Sequence, residues 1–329
     1  MAKVSILGGG TWAIGIALLL DKNGHEVTVW SAVEKEINML SQTHTHNQLP
    51  GVVIPESISY TLDDEKALLD ADLVVMAVAS SFTRSTSKRL SKYVKENQII
   101  VTVAKGIEEN TLMTQTQIVL DEIPQAKVAV LSGPSHAEEV SKFMPTTVVV
   151  GCEDEEIAKF IQNIFMRDVF RVYTSDDVLG IEIGGSIKNV IALAAGISDG
   201  MGGGDNAKAA IITRGIAEMS RLGAAMGCKP ETFSGLTGIG DLIVTCASMH
   251  SRNRRAGILI GQGKSMQEAM DEVQMVVEGV YSAKAANALA KKYDVEMPIV
   301  EQVVLVLFEN KDVNVAFYDL MNRDRKSEN

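Results

Sequence analysis

Ser251-Arg252-Asn253-Arg254-Arg255 is the one dense basic cluster in a chain of net charge −11. Arg and Asn beside a hydroxyl make a good phosphate clamp; a solvated basic loop is the plainer alternative. Lys105 follows the apolar run 99–104 and precedes Gly106. Ligands of open α/β sheets sit at the carboxyl ends of strands, and this lysine is at one; otherwise it opens a solvated loop. The stretch Leu131-Ser132-Gly133-Pro134-Ser135-His136-Ala137 also leaves a strand end, with small residues suited to close approach of a ligand. A lone histidine such as His136 is more often structural than catalytic, and Glu138-Glu139 reads as a helix's first turn. Lys188 and Asn189 enter an otherwise apolar run (190–197) one turn after Gly184 and Gly185. Each glycine costs roughly 1 kcal/mol against alanine in a helix interior, but both allow close packing against a bound group or the sheet. The alternative is a lysine snorkelling from an apolar helix. Asp241 follows the glycine loop 235–240 near a helix start, where capping alone would account for it.

These side chains need elements to hold them. Residues 8–13 read Gly8-Gly9-Gly10-Thr11-Trp12-Ala13, behind the apolar run 4–7 and ahead of the apolar helix 14–20. Strand, glycine turn and helix form the first half of a dinucleotide-binding βαβ unit. Gly8 serves the turn. Gly10 has no Cβ, so a pyrophosphate can approach the main chain, and the helix N-terminus offers free N–H groups. Further strands are expected at 27–30, 73–78, 99–104, 128–131, 147–150 and 170–172. Runs that are apolar throughout suit a parallel sheet covered on both faces. The first helix should stop near Asn23-Gly24, and Asp154-Glu155 should start another. Beyond about residue 175 only helical patterns follow: 176–197, 206–226, 281–292 and 298–307. The fold class is therefore an α/β Rossmann-type doubly wound sheet followed by an all-α domain. The change falls near 180–190, giving a nucleotide-binding domain over 1–188 and a helical substrate domain over 189–329. The polar tail 323–329 should fray.

Composition narrows the function. At 46% hydrophobic and 22% charged the chain is that of a globular protein. Its acidity argues against nucleic acid as a partner. No apolar run approaches the roughly 20 residues of a membrane span, and the first apolar stretch, ended by the glycine turn, is unlike a signal peptide. Three scattered cysteines (Cys152, Cys228, Cys246) suggest a reducing, cytoplasmic compartment and neither a metal site nor a disulfide framework.

The second strand of such a unit normally ends in an acid, about 20 residues beyond the glycines, that binds the ribose of NAD. Here it ends Trp30-Ser31-Ala32, with no carboxylate until Glu34. Ser31 could hydrogen-bond the 2′-phosphate of NADP, and Lys35 is the nearest cation. The cofactor is read as NAD or NADP, with NADP slightly favoured.

Together these segments resemble the bacterial NAD(P)-dependent sn-glycerol-3-phosphate dehydrogenases. The matching runs are 8–12, 103–108 (VAKGIE), 131–140 (LSGPSHAEEV), 183–196 (IGGSIKNVIALAAG), 204–210 (GDNAKAA), 233–246 (FSGLTGIGDLIVTC), 250–253 (HSRN) and 276–279 (VVEG). The likeness covers nearly the whole chain, with these runs in the expected order and spacing. The resemblance implies reduction of dihydroxyacetone phosphate to sn-glycerol 3-phosphate by NAD(P)H, supplying the backbone of glycerophospholipids. It implies Lys188 as the catalytic acid/base. Lys105, Gly133, Ser135, Asn189, Asp241, Thr245, Ser251, Arg252 and Asn253 would join it at the substrate. Gly8, Gly10, Thr11, Trp12, Ser31, Lys105, Ala137, Arg252, Val276 and Glu278 would touch the cofactor. The chain departs from the family pattern at Ala13, where a third glycine is usual, at Ala32, where a basic residue is common, and at Ala79, where the family has proline. A β-hydroxyacid or sugar-acid dehydrogenase shares the two-domain plan and a Lys-Asn helix, and a nucleotide-sensing binding protein would share the turn. A homodimer is the default assembly for such an enzyme.

Overall fold

The computed structural model describes residues 1–325 and 327. The chain divides into two units. The first comprises Met1–Gly106 and Met113–Glu182; the second comprises Ile107–Leu112 and Ile183–Asn329.

The first unit is built on β1 (Lys3–Leu7), β2 (Glu26–Trp30), β3 (Ser59–Thr61), β4 (Leu73–Met76), β5 (Ile99–Thr102), β6 (Lys127–Ser132), β7 (Thr146–Gly151) and β8 (Phe170–Ser175). They form one sheet in the order β3-β2-β1-β4-β5-β6-β7-β8. All neighbours are parallel except β6 and β7. β3 was not anticipated from sequence: Ser-Tyr-Thr is a three-residue edge strand with no apolar run to announce it.

Alternate residues of the central strands enter two separate cores, as a sheet covered on both faces requires. Ile6, Val29, Val75 and Val101 lie in one, with Ile14, Leu19, Ile161 and Phe165. Leu7, Trp30, Val74, Met76 and Ile100 lie in the other, with Leu68, Leu90 and Val119. The covering helices are α1 (Thr11–Lys22), α2 (Glu34–Thr43), α3 (Asp64–Leu68), α4 (Thr83–Leu90), α5 (Gln115–Glu122), α6 (Ala137–Val140) and α7 (Glu155–Phe165). α1 ends before Asn23, and the Asp154 carboxylate caps α7 by accepting from the Glu156 and Ile157 amides.

α8 (Val178–Gly200) starts in the first unit and runs on into the second. It is long and apolar enough to cross a membrane, which inspection of unbroken apolar runs missed because Glu182 and Lys188 interrupt it. Its most apolar 18-residue window is 83% buried, as in a core helix. The second unit continues with α9 (Gly204–Ala225), α10 (Pro230–Phe233), α11 (Asp241–Ala247), α12 (Arg252–Gly261), α13 (Met266–Val273), α14 (Glu278–Lys292), α15 (Pro298–Phe308) and α16 (Val313–Met321). A wide π-type turn, Leu236–Gly240, leads into α11.

Bare backbone brings α8 and α12 together. A Cβ on Gly196 would lie 2.2 Å from the Arg254 carbonyl oxygen, and one on Gly257 would lie 2.3 Å from that of Leu193. Gly200 and Gly261 repeat the contact one turn on, each 2.2 Å from an opposing carbonyl oxygen. In the polar tail, Arg323 pairs with Glu296 at 3.1 Å; residues 326, 328 and 329 lie outside the described residues.

Candidate active site

The glycine turn stands where the strand order reverses, between β1 and β4. The Gly8 amide donates to the Trp30 carbonyl, and the Ala77 amide to that of Leu7. Gly8 has φ +130°, and a Cβ there would sit 2.8 Å from the Ala77 carbonyl oxygen, so only glycine fits. Gly10 has nothing within 4 Å of the corresponding position. It precedes α1, whose first turn contains no acid and whose N-terminus has no side-chain cap among the described residues. Open space before uncapped N–H groups is what a pyrophosphate needs, so these residues fit a dinucleotide. Ala13, in place of the third glycine, is fully buried against the core and meets that position's packing role. Thr11 Oγ1 donates to Gln48 Oε1, and Trp12 packs partly buried on the same core.

Lys105 leaves the end of β5. Its Nζ donates to the Gly133 carbonyl at 2.9 Å, and Ser135 Oγ donates to the same oxygen at 2.9 Å. Gly133 has φ +139°, with Val148 3.0 Å from where a Cβ would stand. The ends of β5 and β6 are thus joined through one carbonyl, which brings together three of the expected residues. Ala137 begins α6 just beyond. Behind Lys105, Gln115 Nε2 donates to the Gly106 carbonyl, and Thr83 Oγ1 donates to Gln115 Oε1. Glu182, assigned no role from sequence, accepts from the Thr114 hydroxyl, the Thr116 hydroxyl and the Thr116 amide at 2.6, 2.6 and 2.8 Å. Burial raises its carboxyl above the ordinary range, against the pull of those bonds. The available signal was a glutamate in an otherwise apolar helix.

In the second unit, Lys188 Nζ donates to Asp241 Oδ1 at 2.5 Å and to Thr245 Oγ1 at 2.8 Å. Thr245 Oγ1 in turn donates to the Asp241 backbone carbonyl at 2.6 Å. Lys188, Asp241 and Thr245 are 5%, 1% and 3% exposed, so the ammonium is buried and directed. The helix spacing explains the pair on α11: residues four apart share a face. The two glycines before Lys188 were expected to face a bound group or the sheet. Gly184 instead meets the π-type turn: a Cβ there would lie 2.7 Å from the Thr237 carbonyl oxygen. That close approach sets α11 against α8.

The basic cluster divides. Ser251 caps α12, accepting from the Arg254 amide. Asn253 is buried; its Nδ2 donates to Asn189 Oδ1 at 2.9 Å and its Oδ1 accepts from the Gly279 amide at 2.8 Å. Arg254 binds Asp199 and the Ala247 carbonyl. Ser251 and Asn253, expected as parts of a clamp, make bonds that set the start of α12 and join it to α8 and α14, and Arg252 stands half-buried at the first position of α12. Val276 and Glu278 lie partly exposed at the start of α14. Burial pushes the Cys246 thiol up to about 12, which keeps it protonated. Among the described residues, no group of three or more His, Cys, Asp or Glu is arranged to hold a metal ion.

A doubly wound sheet with a glycine turn at its switch point, followed by a helical unit with a buried lysine–aspartate–threonine cluster, defines a two-unit, dinucleotide-dependent oxidoreductase. Comparison with known proteins is more particular. Residues 3–158 match the family described as NAD-dependent glycerol-3-phosphate dehydrogenase N-terminus, and residues 177–318 match its C-terminus. A relative named glycerol-3-phosphate dehydrogenase [NAD(P)+] from Agathobacter rectalis is 61% identical, covering 100% of this chain and 98% of its own. One of the same name from Fusobacterium nucleatum is 57% identical over 100% and 99%. The crystal structure of a glycerol-3-phosphate dehydrogenase from Coxiella burnetii superposes with a TM-score of 0.94 at 35% identity, covering 98% of this chain and 99% of that one. The chain belongs to the NAD-dependent glycerol-3-phosphate dehydrogenase family.

Proposed function

We propose that this chain reduces dihydroxyacetone phosphate to sn-glycerol 3-phosphate with NAD(P)H, with Lys188 as acid/base. The observation that carries the reading is the buried Lys188–Asp241–Thr245 cluster in a chain of this family. The bound cofactor supplies hydride to the ketone carbon. The Lys188 ammonium polarises the carbonyl and gives its proton to the forming alkoxide. Asp241 and Thr245 orient the ammonium, and the Asp241 carboxylate balances a charge that burial alone would disfavour. In the reverse direction Lys188 takes the alcohol proton back. Arg252 would hold the substrate phosphate, using binding energy remote from the reacting carbon to position it. Lys105 and Ser135, with Gly133, would form the other polar contacts to substrate; Gly8, Gly10, Thr11 and Trp12 would hold the nucleotide. The reading includes a cytoplasmic enzyme acting as a homodimer, the common state for enzymes of this kind.

The rival is a dehydrogenase of β-hydroxyacids, which would anchor a carboxylate. Steady-state oxidation of NADH and NADPH by the purified chain, with dihydroxyacetone phosphate in one arm and a 3-keto acid in the other, separates the two. Turnover confined to the phosphorylated ketone is expected; turnover of the keto acid alone would replace the reading.

A further inference from the structure

The end of β2 is where this fold reads the adenosine ribose, and the sequence offers no acid there. The structure brings one from elsewhere. Ser31 Oγ donates to Glu36 Oε2 at 2.7 Å, and the Val33 amide donates to Ser31 Oγ at 3.1 Å. Glu36 stands in the first turn of α2, where its charge suits the helix N-terminus. The same Glu36 oxygen lies 2.8 Å from where a Cβ on Gly9 would stand. One carboxylate therefore touches both the strand end and the glycine turn. His46, which bonds to the Gly9 backbone, completes this corner; burial lowers its pKa, while Glu36 and the Gly9 bond act the other way. Lys35, the nearest cation in sequence, is exposed on the same turn.

We infer that Glu36, through its own charge, is the cofactor-specificity residue of this chain and selects NADH over NADPH. The inference rests on the dehydrogenase reading above. The physical argument is one of donors and charge. A ribose 2′-hydroxyl is a donor and needs an acceptor; an ionised carboxylate is acceptor-only. A 2′-phosphate brings about two negative charges and three acceptor oxygens, with no proton to offer at neutral pH. Next to Glu36 it meets repulsion, and the Ser31 hydroxyl proton that could have served it is already directed to Glu36. The inference runs opposite to the slight preference for NADP expected from sequence. That expectation looked for the acid on the strand, whereas the acid arrives from the following helix, five residues beyond the serine.

Isothermal titration of the purified full chain with NADH and with NADPH tests this without turnover. The wild type should bind NADH at least tenfold more tightly. Glu36→Gln keeps an oxygen acceptor but removes the charge, and should narrow the ratio to within about threefold, mainly by admitting NADPH. Ser31→Ala retains the carboxylate and should retain the preference. Thermal melts without ligand establish that each variant is folded. Equal or tighter NADPH binding by the wild type, an unchanged ratio in Glu36→Gln, or loss of the preference in Ser31→Ala overturns the assignment and leaves the dehydrogenase reading standing. Binding of neither cofactor by folded wild type overturns both.

Discussion

Buried carboxylates set the chemistry of single residues here, and each is handled differently. Asp241 faces a lysine; Glu182 faces hydroxyls and an amide; Glu218 faces a helix end. Glu218 Oε1 accepts from the Ile299 amide at 2.8 Å and Oε2 from the Val300 amide at 3.3 Å, at the start of α15. Burial pushes its carboxyl up to about 7; the two amides, Arg221 and Arg323 pull the other way. An acid raised in the folded state binds its proton more tightly there than in the unfolded chain. Its contribution is complete below the unfolded value near 4.5 and is lost as pH rises towards 7. The span corresponds to about 3 kcal/mol at 1.36 kcal/mol per unit. Glu218→Gln should flatten the stability profile between pH 4.5 and 7, with denaturant midpoints at several pH values as the readout. A wild-type stability that rises across that window would contradict the assignment. Asp241 was placed beside Lys188 by the family's motif, but Glu182 and Glu218 were assigned no role from sequence: a buried glutamate and a solvated one occupy similar patterns, and only tertiary contact separates them. The lysines were easier, because a cation beside a glycine or inside an apolar helix is conspicuous.

At the scale of elements, the local signals were strong wherever the chain meets a strand, a cap or a glycine turn. β1, the turn and α1 lie where the pattern placed them, because apolar period, glycine and helix start agree over one short stretch. β7 could not be read as antiparallel to β6, since pairing direction leaves no mark on a strand's own residues. The glycine contact of α8 with α12 was equally hidden. It matters because α8 carries Lys188 and Asn189, α12 begins with Arg252 and Asn253, and the Asn253–Asn189 bond links them. Gly257→Ala should therefore be costly despite alanine's better helix propensity, worth about 1 kcal/mol. The added carbon would meet the Leu193 carbonyl and, at 2.8 Å, the Ile197 nitrogen, both backbone atoms that cannot turn aside. Overpacking of this kind costs about 1–3 kcal/mol, often more than propensity returns. A lowered melting temperature is expected, and a raised one would show that the helices part without penalty.

Over the whole molecule, function was more legible than specificity. Eight runs in fixed order from the glycine turn to residue 279 pointed to one family, and matches over residues 3–158 and 177–318 bear that out. Cofactor preference was less readable because the Ser31–Glu36 bond proposed to determine it crosses from β2 to α2. The first unit carries the glycine turn and the second carries the buried lysine, so the proposed mechanism divides nucleotide binding from proton transfer between them. Binding of nucleotide and transfer of a proton should then be separable by mutation. Lys188→Ala tests this most directly, with cofactor binding measured by titration and turnover measured with dihydroxyacetone phosphate. General acid–base catalysis contributes about 10²–10⁴-fold, so kcat should fall by about a thousandfold while the NADH dissociation constant stays within a few-fold of wild type. Near-normal turnover in that variant would contradict the account.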